Sequence, residues 1–72
     1  MLTRAILKSY LLEMPPGHIF DLTYKLFADV FPPGEPDAGA REMLHAFADE
    51  CGCDAFNHQA EGRYDLTRRW AA

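Results

Sequence analysis

Two Pro-Pro-Gly triplets, Pro15-Pro16-Gly17 and Pro32-Pro33-Gly34, set the joints of this chain. Proline disfavours helix at the residue before it and has no amide to give to a helix ladder, so each triplet stops the element that precedes it. The first half is thereby cut into two short segments.

The first, Leu2 to Glu13, reads as a helix. Leu7, Leu11 and Met14 recur at i, i+4 and i+7 with Tyr10 alongside, and Thr3 is placed as N-cap. After Gly17, the β-favouring His18-Ile19-Phe20 is too short to fold alone and is expected to pair with strands elsewhere as a short third strand at residues 18–20. Asp21 fits the N-cap of a second helix, Leu22 to Phe31, with Leu22, Leu26 and Val30 on one stripe and Asp21, Lys25 and Asp29 opposite. Pro32 to Asp37 is a loop. The clearest helical period follows, from Asp37 to Cys51, where Ala40, Met43, Leu44, Phe47 and Cys51 share a face. Asp37 is its expected N-cap and Gly52 its C′ residue. The period then changes to two. Tyr64, Leu66, Arg68 and Trp70 alternate with Arg63, Asp65, Thr67 and Arg69, and Phe56 and His58 alternate before them. With Glu61-Gly62 as turn, Asp54–Gln59 and Arg63–Arg69 read as an antiparallel hairpin. The fold class is α+β, three helices followed by a C-terminal β-hairpin.

Seventy-two residues make one domain, 1–72. A core of this size contributes only about 3–5 kcal/mol of net stability. The hydrophobic fraction of 49% excludes a disordered chain. No apolar run approaches the roughly 18 residues of a membrane span, and the opening Met1 to Lys8 lacks the order of a signal peptide. Two cysteines separated only by Gly52 make no disulfide framework and fit a reducing compartment, so the expected location is cytoplasmic.

The net charge of −4 is unevenly spread. Residues 1–34 balance, residues 35–54 sum to −5, and residues 55–72 sum to +1. The order helix, short strand, helix, loop, helix, hairpin resembles a winged helix-turn-helix fold over nearly the whole chain. The resemblance implies that residues 38–51 take the recognition-helix position and that the hairpin, with its tip near Gln59–Arg63, is the wing. DNA affinity comes largely from Lys and Arg neutralising phosphates, yet that helix carries Glu42, Asp49 and Glu50 against Arg41. The first expectation is therefore a non-catalytic interaction module with a protein partner or a second copy of itself. The interaction candidates are Arg41, Glu42, His45 and Asp49 on the third helix and Arg63, Arg68, Arg69 and Trp70 on the hairpin. The alternative is a DNA-binding regulator contacting phosphates through Arg4, Lys8, Arg63, Arg68 and Arg69, with Arg41 and His45 nearest the bases. The plain reading of the hairpin arginines is that they solvate its outer face and pair with Asp65 or with the acidic third helix.

A third reading takes Cys51, Cys53 and His45 as metal ligands. Structural zinc sites use four ligands with wider spacing, and the simpler reading gives Cys51 to the helix stripe and Cys53 to a strand. His18, His45 and His58 invite a general-base role near neutral pH, but nothing places a nucleophile, an orienting carboxylate and an oxyanion donor around them. A chain this small has little room for a pocket of the roughly 300 Å³ typical of small-molecule sites. No enzyme activity, cofactor, small-molecule substrate or membrane partner is expected. Most aromatics read as core, with Tyr24 or Trp70 as the surplus ring that marks an interaction surface.

Overall fold

A computed structural model describes residues 1–70, so Ala71 and Ala72 lie outside the described residues. Helix α1 runs Arg4–Glu13, starting where the Thr3 hydroxyl accepts from the Ile6 amide at 3.2 Å. It ends at Met14, whose φ of −68° and ψ of 129° are the extended values a residue before proline must take.

Strand β1 spans Ile19–Thr23 and helix α2 spans Tyr24–Val30. This corrects two expectations. The strand is longer than residues 18–20, and Asp21 lies inside it rather than capping a helix from Leu22 to Phe31. The cause is long-range pairing, because β1 is laddered against a later strand from Ile19↔Thr67 to Thr23↔Arg63. The helix can begin only where that ladder stops. Thr23 is its N-cap, the hydroxyl accepting from the Leu26 amide at 3.3 Å. Leu22 still reaches the core, by strand alternation instead of a helical stripe.

Helix α3 covers Ala38–Glu50. The Asp37 carboxylate accepts from the Ala40 amide at 2.8 Å, and Gly52 takes a φ of +72° just past the Cys51 cap. Asp37→Ala is expected to cost about 1 kcal/mol. A thermal melt reads that as a midpoint lowered by roughly 4–8 °C. Met43, expected on the buried face, is 44% exposed. The stripe that meets the core is centred on Ala40, Leu44 and Ala48, whose two alanines let the helix backbone approach closely.

Strands β2 (Cys53–His58) and β3 (Arg63–Arg68) form the hairpin, joined by a 3-10 turn at Gln59–Glu61 and by Gly62 at a φ of +65°. The sheet is antiparallel with order β1-β3-β2. Its inner face presents Leu22, Tyr64, Leu66 and Cys53 to a core completed by Leu7, Leu11, Phe27, Val30, Phe31 and Leu44. The outer face carries Ile19, Asp21 and Thr23, then Arg63, Asp65 and Thr67, then Asp54, Phe56 and His58. Among the described residues no helix is long and apolar enough to cross a membrane.

Candidate functional site

The basic side chains were the pivot between protein and nucleic-acid readings, and the fold gives each of the five arginines a partner within the chain. Arg63 stands on the outer sheet face among Glu61, Asp65 at 3.2 Å and Asp21 at 3.8 Å. Arg69, just past β3, bridges Asp49 of α3 and Asp54 of β2, each at 2.7 Å. Arg68, expected on the outer face with the other hairpin arginines, instead points to the inner side and donates to the carbonyls of Leu11 at 3.1 Å and Cys51 at 2.5 Å. Arg4 donates to the Val30 carbonyl at 3.2 Å, and its guanidinium lies 4.6 Å from the Phe31 ring centroid. Arg41 is held by Glu35 at 2.5 Å.

These residues do not gather on one face. Arg63 lies by the hairpin tip and Arg69 at its base, roughly 20 Å apart along an extended strand, and Arg68 is turned away from both. Lys8 and Lys25 are exposed on separate helices. On α3, Glu42, His45, Asp49 and Glu50 all face solvent. The His45 ring is edge-on to Tyr64 at a centroid distance of 6.4 Å.

The outer face of the sheet holds a charged network. His58 Nε2 is 2.5 Å from Asp65, which also accepts from Arg63. Burial pushes the Asp65 carboxyl up. Hydrogen bonding with Asp21 and Arg63 and the charges of His58 and Arg63 outweigh it and hold the group below its ordinary value. Phe56, expected in the core with most aromatics, instead stands 61% exposed on this face, edge-on to His58 at 4.7 Å. The inward positions of β2 go to Cys53, Ala55 and Asn57, and the small Cys53 and Ala55 leave room for α3 against the sheet.

Trp70 was read as continuing the alternation of Tyr64, Leu66 and Arg68. It lies beyond the end of β3 and is 77% exposed, its ring over Gly17. With Leu12, Met14, Pro16, Gly52, Arg68 and Arg69 it lines an open groove of about 430 Å³. The chain therefore holds a concavity larger than its length suggested, where the first Pro-Pro-Gly loop and the hairpin base, hydrogen-bonded through Gly17 and Arg68, meet. Tyr24, the other ring named as surplus, is half-buried and donates its hydroxyl to Asn57.

Cys51 and Cys53 are buried, and burial pushes both thiols up, which leaves them poor nucleophiles and poor ligands. His45 is exposed, while the two thiols face the core. No three His, Cys, Asp or Glu side chains among the described residues are grouped as a metal ion requires.

One constellation left no trace in the sequence reading. Glu35, in the loop between α2 and α3, has only 8% of its side chain exposed. It accepts from Arg41, from the Tyr64 hydroxyl at 3.0 Å and from the Asn57 amide at 3.2 Å. Burial pushes its carboxyl up, but the three donors and the Arg41 charge hold it net below the ordinary value. The Tyr64 hydroxyl, buried and donating to that carboxylate, is pushed up to about 12. Every polar partner here is satisfied inside the fold, so the node ties the loop to β2 and β3. Comparison with known protein families, with curated proteins and with solved structures finds no match.

Proposed function

We propose that the chain is a non-catalytic, winged-helix-like interaction module whose partner is a protein. The winged-helix likeness is supported by the element order and by a first strand that lies beside the returning strand of the hairpin. The protein partner is supported by one observation above the others. The arginines that would meet phosphates are already matched to carboxylates and carbonyls of the same chain. Freeing Arg63 or Arg69 for a phosphate gives up at least two carboxylate pairings within the chain, which offsets part of the Coulomb gain. The helix in the recognition position meanwhile presents Glu42, Asp49 and Glu50 outward.

The test is fluorescence anisotropy of a labelled random-sequence duplex, read at low and at physiological salt. The expected result is no binding tighter than about 100 µM at physiological salt, the weak end of non-specific DNA affinity. Affinity of about 1 µM or tighter, with amide shifts mapped to residues 38–50, overturns the reading in favour of a DNA-binding regulator.

A further inference from the structure

The sheet has two edges, since β3 is central and both β1 and β2 pair only with it among the described residues. The main-chain direction along β2 is fixed by its hairpin partner. The Gly52 carbonyl accepts from the Arg69 amide at 2.9 Å, and the register continues through Asp54↔Thr67, Phe56↔Asp65 and His58↔Arg63. Alternate residues in an antiparallel ladder direct their amide and carbonyl to the same neighbour. Asp54, Phe56 and His58 therefore bond to β3, and Cys53, Ala55 and Asn57 direct theirs away from it; Cys53 is buried, so Ala55 and Asn57 form the open part of the edge.

Natural edges are blunted by lysine, proline, a bulge or an inward-pointing charge. Edge β1 follows a Pro-Pro-Gly turn, while its central Asp21, like Asp54 on β2, stands beside an arginine. Edge β2 has no such device. Its one acidic residue, Asp54, is matched by Arg69, and beside the edge stands the exposed Phe56 ring.

We propose that the β2 edge pairs antiparallel with β2 of a second copy of this chain, with Phe56 on the twofold axis. The proposal deepens the interaction reading by naming the partner. Parity selects the register. Outward-directed residues must face outward-directed residues, so the axis falls on a residue and never between two. Centred on Phe56, the pairing sets Ala55 opposite the partner's Asn57, and the two such pairs exchange four main-chain hydrogen bonds. Phe56 then faces its own copy in a non-hydrogen-bonded pair, the closer kind, in which side chains pack best. Asp54 faces the partner's His58. The contact closes on itself as a twofold interface must. Centring on Ala55 instead sets Asp54 against an aromatic ring, and centring on Asn57 leaves half of the strand unpaired.

The experiment is sedimentation velocity over about a hundredfold range of concentration, on the full chain and on Phe56→Lys, together with air oxidation of Phe56→Cys. The expected result is a mass moving from monomer to dimer with concentration. Phe56→Lys, which sets like charges opposite one another at a position outside the core, is expected to weaken association about tenfold or more with its circular dichroism unchanged. Facing Cα atoms at about 4.5–5.5 Å suit a disulfide, so Phe56→Cys is expected to cross-link rapidly. Asp54→Cys, which faces position 58 and not itself, is the slow control, and the buried native thiols stay silent in both. A monomer at every concentration overturns the proposal. So does a dimer that survives Phe56→Lys, or a Phe56→Cys that cross-links no faster than Asp54→Cys. A monomer without DNA affinity leaves the interaction reading standing, whereas DNA binding on α3 removes that reading and leaves the dimer to be judged by these results.

Discussion

Glu35→Ala is expected to lower stability by about 2–3 kcal/mol, the cost of leaving several donors without the part-buried carboxylate that accepts from them. In a domain of this size that is most of what folding yields. The substitution leaves the Tyr64 hydroxyl and the Asn57 amide without their common acceptor on the inner side of the sheet, and it releases Arg41 from the start of α3. Urea unfolding followed by circular dichroism checks the value. Glu35→Gln separates charge from shape, since its carbonyl still accepts from Tyr64 and Asn57 while its amide meets Arg41. It is expected to lose less than the alanine variant.

The same residue sets a pH dependence whose sign can be worked out. The Glu35 carboxyl lies below its ordinary value of 4.5 in the folded chain. A group with a depressed folded pKa contributes stability that is fully present above the unfolded value and is lost as pH falls through the folded one. The difference between the native chain and Glu35→Ala is thus expected to be constant from neutral pH down to about 5 and to shrink below 4.5. A gap that persists unchanged in strong acid assigns the loss to packing instead of to the carboxylate.

Local signals carried most of the elements. Thr3 and Asp37 were legible as caps because a cap needs only the residue type and the three residues after it. The hairpin was legible from its period of two. Thr23 was not, because what ends β1 is a ladder with residues forty or more positions away, and Asp21 offered an equally good local cap. Phe56 was misplaced for a related reason. Alternation divides β2 into two faces without saying which is inner, and the answer came from the small pair Cys53 and Ala55 fitting under α3. Glu35 had no local signal at all. Its three donors come from α3, β2 and β3, and a carboxylate in a Pro-Gly-Glu-Pro loop reads as solvated until the chain has closed around it.

Arg68→Met is the second large effect, expected at about 2–3 kcal/mol from two hydrogen bonds with a charged donor. Methionine keeps most of the apolar stem, so the loss isolates the guanidinium from its packing. That guanidinium lies between the last turn of α1, through the Leu11 carbonyl, and the end of α3, through the Cys51 carbonyl. Both are helix C-termini, where unpaired carbonyls and the macrodipole favour a cation. One side chain thus serves two helix ends that have no basic residue in their own last turns. Alternation sets Arg68 on the face of Tyr64 and Leu66, whereas its charge leads to the outer-face expectation it shares with Arg63 and Arg69, which the structure overturns. Periodicity was the better guide because an inward arginine at a strand end needs only acceptors, and two helix termini supply them. If Arg68 were instead a surface contact, Arg68→Met would leave the melting midpoint within about 2 °C of the native chain, in place of a drop of roughly 10 °C or more.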